Sequence, residues 1–433
     1  MKLKTLTTAM ILATVPMTGA FAAAMDRSGQ SIAAFLQPGN YFEAGISVLD
    51  PSVSGTTSNS PLLGAGANQA TGDMASDYYF PSAALKFQVT DNFSFGLLYD
   101  QPFGAEAEYS APNAGLTAFS DLGEGTSAEV TTENLTAIFG FQPTENWNIY
   151  AGPVYQQAKG NVSLRGTAYS ALSGYDATMK KDGATGWLAG LAYQIPEIAL
   201  KASLTYRSEI EHELSSNENI NQILPGYGNA DLLLPAQPFT YSPGKTNVTT
   251  PQSVNLDLQS GVMENTVAFL NVRWVNWDGF AIRPSQFGQG LDQLAGQADR
   301  INPENYGPAA PLAQGAKDYL QSLEGGNLVE YNDDQWSATA GVGRKFNEQW
   351  AGNVSVGYDT GAGNPVTTLG PTEGYWNVGL GLQFSPTPAI FIAGGVKYFW
   401  LGDATALTVA NPNVGEFEDN HAIAYGLKMG YRF

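Results

Sequence analysis

From His421 to Phe433 the chain alternates strictly. Ile423, Tyr425, Leu427, Met429, Tyr431 and Phe433 take the odd positions, and Ala422, Ala424, Gly426, Lys428, Gly430 and Arg432 the even ones. A period of two is that of a β-strand, whose successive side chains point to opposite faces. Bulky apolar residues on one face and small or cationic ones on the other fit a wall between lipid and a lumen. The same pattern recurs at 83–89, 376–384 and 390–400, where Lys86 and Lys397 fall on the inward face. Over 200–211, Leu200, Ala202, Leu204, Tyr206 and Ile210 read as the lipid-facing set, with Lys201, Ser203, Thr205, Arg207, Glu209 and Glu211 inward. On this parity His212 and His421 face outward.

Tight turns, such as Thr90-Asp91-Asn92 and Ile195-Pro196-Glu197, alternate with long polar segments. Strands are expected to start near Tyr41, Tyr78, Phe93, Ala128, Trp147, Gly183, Ala199, Gln252, Thr266, Trp336, Gln349, Gly374, Ala389 and Asn420. That makes about fourteen, an even number, as antiparallel closure with both ends on one side requires. The expected fold is all-β, a transmembrane antiparallel β-barrel over 41–433. Aromatic residues near strand ends, among them Trp187, Tyr193, Trp350, Tyr358 and Trp400, suit interfacial girdles. Leu312, Ala316, Leu320 and Leu323 have helical spacing, which predicts an amphipathic helix within 279–332. Ile223, Leu224, Leu232, Leu233 and Leu234 lie in the long segment 215–250; they read either as an outer capture groove or as loop packing.

The start of the chain differs from the rest. Lys2 and Lys4 precede an apolar stretch over 9–15 and small residues over 18–24, the pattern of a secretory signal peptide. Its core is too short to span a bilayer, and no later run of about 18 apolar residues occurs. An aromatic residue ending the last strand is the usual outer-membrane assembly signal, so the expected address is the outer membrane of a Gram-negative bacterium. The turn Pro38-Gly39 leaves 25–40 as a short plug-like segment, with Ile32, Phe35 and Leu36 able to point into the lumen.

Composition narrows the chemistry. Hydrophobic residues make up 43%, yet mean hydropathy is −0.16, so apolar positions are interleaved with polar ones. Twenty basic against 40 acidic residues give a net charge of −20, which argues against nucleic acid as a partner. With no cysteine and only two histidines, no metal site, cofactor or enzymatic nucleophile is expected. Acidic residues such as Asp121, Glu124, Glu416, Glu418 and Asp419 sit in loops; they solvate the loops or bridge through divalent cations to lipopolysaccharide.

The chain resembles the FadL-type long-chain fatty acid transporters of Gram-negative outer membranes. The resemblance rests on Ser203-Leu204-Thr205-Tyr206-Arg207-Ser208-Glu209, on 93–109 with Gln101-Pro102-Phe103-Gly104, on 41–55 and on the last strand. It implies a fourteen-stranded barrel plugged by an amino-terminal hatch, with a third strand that kinks inward to open a lateral exit. The implied function is passive uptake of long-chain fatty acids or similar hydrophobic molecules by a monomer embedded among outer-membrane lipids and lipopolysaccharide. Monoaromatic hydrocarbons and a general hydrophilic porin are the alternatives.

Residue chemistry agrees with a kink: Pro102 removes a ladder donor and Gly104 a side chain, although a proline at a strand's loop end is also harmless. Phe35, Leu36, Pro102, Phe103 and Gly104 are thus the expected transport path. Arg165 and Arg207 are candidate carboxylate partners, with an Arg207–Glu209 ion pair as the other reading of Arg207. One departure stands out: the plug is short, and Gln37-Pro38-Gly39 replaces the family's Asn-Pro-Ala.

Overall fold

The computed structural model describes residues 25–111 and 115–433; the signal peptide expected over 1–24 lies outside the described residues. The barrel opens with β1 (Tyr41–Ser52), β2 (Tyr78–Thr90) and β3, which is in two parts (Phe93–Asp100 and Gly104–Glu108). It continues with β4 (Ser127–Phe141), β5 (Trp147–Ser163) and β6 (Asp176–Ile195). Both β7 (Leu200–Arg207 and Ile210–Glu218) and β8 (Lys245–Thr250 and Ser253–Met263) are also in two parts. Then come β9 (Thr266–Val275), β10 (Gln335–Lys345), β11 (Trp350–Asp359), β12 (Tyr375–Thr387), β13 (Ile390–Leu401) and β14 (His421–Arg432). Each strand pairs antiparallel with the next, and β14 closes on β1 from Tyr41↔Arg432 to Ser52↔His421. The result is a closed barrel of fourteen strands.

Closure pairs the last strand with the first, so the sheet has no terminal edge, which is the condition for a sheet in hydrocarbon. The alternating residues face as expected: Ile423, Tyr425, Leu427, Met429 and Tyr431 are exposed while Ala422, Ala424 and Lys428 are buried. Two belts of cross-strand aromatic pairs ring the outside. At the turn end Phe93–Phe141, Trp147–Tyr193 and Trp350–Phe384 have ring centroids 5.1, 4.8 and 4.8 Å apart. Nearer the loop end lie Trp187–Tyr206 at 5.1 Å and Tyr358–Trp376 at 4.6 Å. Such belts sit at the two membrane interfaces.

Three expectations need correction. First, β6 begins at Asp176 and β8 at Lys245, each about seven residues earlier than the turn signals suggest. Second, the parity of β7 changes within the strand: Arg207 is buried, but so are Ile210 and His212, while Glu209 and Glu211 are exposed. The cause is a joint break in β7 and β8. Arg207 opposes Ser253 and Ile210 opposes Thr250, leaving 208–209 and 251–252 outside the ladder, where Pro251 has no N–H to donate. Glu209 therefore does not pair with Arg207. His212 points inward, its ring nitrogens 3.2 Å from Asp182 and 2.9 Å from Gln156, so neither is left to activate a serine.

Third, of the two readings of the apolar residues in 215–250 the capture groove gives way to loop packing: Ile220, Leu224 and Leu232 are buried within the loops, whereas Leu233 is 88% exposed. The predicted helix is present as Ala310–Gln321, beside a second helix, Ser285–Gly296. Ala313 and Leu320 are its buried residues, whereas Leu312 is 57% exposed.

Candidate functional site

Residues 25–40 thread the lumen from its middle to the turn end. Ile32, Phe35 and Leu36 are buried there, and Phe35 sets its ring edge-on to Tyr150 at 5.8 Å. Gly96 on β3 makes room for it, since a Cβ there would lie 2.6 Å from the Phe35 ring. Turn residue Gly39, at φ +67°, then swings the chain into β1.

The barrel wall holds this plug mainly by its polar groups. Asp26 forms a buried ion pair with Arg273 at 2.6 Å, and Arg273 also donates to Gln30 Oε1 at 3.0 Å and Asn255 Oδ1 at 2.6 Å. Asn255 Nδ2 donates to the Gly29 carbonyl at 2.8 Å. Further along, Arg207 donates to the carbonyl of Gln30, Lys201 to that of Leu36 at 3.2 Å, and Lys86 to that of Gln37. Arg207 is thus a plug anchor.

The third strand breaks at 101–103. Three residues there oppose two on β4, since Asp100 pairs with Asn134 and Gly104 with Thr131. This bulge turns β3 toward the plug. Its backbone is claimed by the amino-terminal segment: Arg27 N donates to Pro102 O at 2.7 Å and Gly104 N to Met25 O at 2.8 Å. Phe103 is buried, 5.5 Å from the Trp277 ring, which in turn meets Phe280 and Tyr331.

On its other side β3 parts from β2. Their ladder runs from Thr90↔Phe93 only to Ala83↔Tyr99, and the next contact is an isolated bridge, Ala75↔Ala107. Across the stretch 78–82 two side chains seal the wall. The Tyr78 hydroxyl donates to Glu106 O and accepts from Glu106 N at 2.7 Å. The Arg27 guanidinium stacks 4.0 Å above the Tyr78 ring and lies near Phe80 at 5.6 Å. Gly104 is required at this point, because a Cβ would come within 2.6 Å of Arg27 Cζ.

Below the break a cavity of about 340 Å³ lies between the plug and the far wall. Ile32, Leu36 and Leu98 line one side, and Thr339, Asn353 and Ser355 another. Arg165 lies outside this lining. Its guanidinium is held at the loop end by Glu124 at 2.8 Å and Asp176 at 2.9 Å, with Nη1 on two backbone carbonyls, so its donors are already in use.

Sequence reasoning singled out Phe35, Leu36, Pro102, Phe103 and Gly104; the structure places Phe35 and Leu36 in the plug and brings Phe103 and Gly104 against it. It missed Arg27, Tyr78, Arg273 and the aromatic group around Trp277. Only Trp277, a tryptophan followed closely by Phe280 beyond the end of a strand, left a visible signal.

The sequence matches the family described as outer membrane protein transport protein (OMPP1/FadL/TodX) over residues 21–433. Among solved structures, a Pseudomonas aeruginosa FadL homologue aligns with TM-score 0.65 at 15% identity, over 98% of this chain and 96% of that one. The Pseudomonas putida toluene transporter TodX aligns with TM-score 0.55 at 12% identity, over 96% and 98%. The Ralstonia pickettii toluene transporter TbuX gives 0.54 at 11%, over 96% and 98%. No curated protein matches the sequence at a significant level. At these identities the structures speak to the fold, which they share from end to end, and the sequence match speaks to descent. The chain belongs to the OMPP1/FadL/TodX family of outer membrane transport proteins and is a hydrophobic-compound transporter of a Gram-negative outer membrane.

Proposed function

We propose that the protein carries long-chain fatty acids and similar hydrophobic molecules passively, with lateral exit between β2 and β3. The observation that carries this reading is the gap in the ladder at 78–82, sealed by two side chains rather than by backbone pairing. An unpaired strand edge in hydrocarbon is costly. Here the edge is satisfied by groups that can withdraw together, since Arg27 belongs to the plug and Tyr78 to β2. Ligand entering from the loop end meets the aromatic group around Phe103, displaces Arg27 and leaves sideways into the membrane without crossing water. The route needs no cofactor and no energy source. The filled lumen is unlike an open hydrophilic porin, which needs a continuous water path.

A second reading, transport of monoaromatic hydrocarbons through the same exit, is favoured by the clustered rings of Phe103, Trp277, Phe280 and Tyr331. Two of the structural neighbours are described as toluene transporters.

The test exploits the absence of native cysteine. Ala75 and Ala107 already face each other across an antiparallel bridge, a separation that suits a disulfide. In the Ala75→Cys/Ala107→Cys variant the bond ties β3 to the segment leading into β2 and fixes the opening at its sealed width. Oleate uptake should fall about tenfold when the pair is oxidised and recover on reduction. Full uptake in the oxidised, folded barrel would exclude the lateral exit.

A further inference from the structure

The wall is interrupted a second time, between β6 and β7. Their ladder runs from Ile195↔Leu200 to Leu188↔Arg207, then resumes at Met179↔Ser216 and ends at Ala177↔Glu218. Residues 180–187 and 208–215, which the unchanged register sets opposite one another, form no ladder pair across this seam. The cause is phase. At one end Lys180 and Lys181 are both exposed, where β6 slips on β5 between Met179 and Asp182; at the other, the break at 208–209 changes the parity of β7. Between these two points Ala184 turns inward opposite an exposed Glu211, and Thr185 is exposed opposite a buried Ile210. Antiparallel partners share a face of the sheet, so the ladder lapses until the phases meet again.

Side chains close the seam instead. At its lower corner Trp187 N donates to Ser208 Oγ at 3.0 Å, beside the bond from Ser208 N to Trp187 O at 3.0 Å. Higher up, Asp182 Oδ2 lies 3.2 Å from His212 Nδ1 and accepts from Glu213 N at 3.4 Å. Gly183-Ala184-Thr185-Gly186 offers little bulk, and Ile210 covers it from within, since a Cβ on Gly186 would stand 2.6 Å from Ile210 Cγ1. Ile210 in turn belongs to the apolar cluster of Leu188, Tyr150, Val154 and the plug residues Ile32 and Phe35. The Trp187–Tyr206 pair sets the lower lip at the outer membrane interface.

We propose that the seam between β6 and β7 is a lateral entrance for small aromatic hydrocarbons, latched by the contact of His212 with Asp182. Aromatic rings favour the depth of the interfacial belt, so such molecules gather at the Trp187 lip. The upper part of β7 pivots about 208–209, together with β8 about 251–252, and carries Ile210 off Gly186. The apolar cluster then passes the molecule to the plug without a route through the loops. This entrance rests on the family's transport of hydrophobic compounds and is independent of the exit between β2 and β3.

The test locks the seam. Cysteines at positions 186 and 210 come within disulfide reach, because Ile210 Cγ1 already stands 2.6 Å from the place of the new Cβ. In cells that lack their own hydrophobic channels, initial toluene uptake through Gly186→Cys/Ile210→Cys should fall about fivefold on oxidation, as expected where a moving flap sets the rate, and recover on reduction. Each single-cysteine variant should be indifferent to the oxidant. Asp182→Ala, which frees the latch without filling the seam, should raise uptake about twofold on the same ground, and it carries the test if the cysteine pair does not fold. Equal uptake by the folded variant, oxidised and reduced, overturns the entrance and leaves the transport reading standing; so does an Asp182→Ala rate no higher than native. Absence of toluene and oleate uptake even by the native protein removes the transport reading and the entrance with it.

Discussion

The Tyr78 phenol stands in for a missing ladder rung, donating to one backbone group of Glu106 and accepting from the other. Tyr78→Phe keeps the ring under Arg27 but leaves that donor and acceptor unpaired in the wall. Each such group costs about 1–3 kcal/mol when buried without a partner, enough to shift the seal several-fold toward its open form. Toluene uptake by cells carrying Tyr78→Phe should therefore rise at least severalfold, with the barrel still heat-modifiable on gels; an unchanged rate would show that this hydroxyl does not hold the wall shut. At this scale legibility was uneven. Pro102 and Gly104 announce a break because each removes something a strand needs. Arg27 announces nothing, because its role depends on a strand far away in sequence that leaves space for it.

The plug is the element on which the rest turns. Its upper end is fixed by the buried pair of Asp26 and Arg273, side chains 8% and 3% exposed. Removing one member of such a pair strands the other, at a cost of about 3–5 kcal/mol. Arg273→Met should loosen the amino-terminal end of the plug and let ions through, giving a steady conductance in planar bilayers well above that of the native protein. A variant as tight as the native barrel would mean that the carbonyl contacts from Lys86, Lys201 and Arg207 suffice. Pro38-Gly39 marked the turn that leads into β1 at Tyr41, but Arg273 was not recognised as an anchor of the segment before it. The inward face of β9 mixes Val267, Phe269, Asn271 and Arg273, so no polar and apolar alternation marks it. In β7 the alternation was clear but was carried through a break, which put Ile210 and His212 on the wrong face. Pro251, on the partner strand, was the available warning.

Across the whole molecule, the wall was the most legible part, because lipid demands an apolar outward face on every strand and so imprints period two from β1 to β14. The loop end was hardest to read: its helices and small sheets bury their apolar residues on one another, and loop packing follows no fixed period. The lumen falls between these extremes, since a plugged interior accepts polar and apolar residues alike so long as each finds its partner. On the proposed reading, wall, plug and broken third strand together make a route for hydrophobic molecules, and the most direct measurement of that route is uptake by cells that lack their own hydrophobic channels. Radiolabelled oleate, with toluene in parallel, is followed in cells whose outer membrane carries this protein and in cells with empty vector. Oleate should enter well above the vector background; entry of neither compound, with the folded barrel present in the membrane, would contradict hydrophobic transport through this protein.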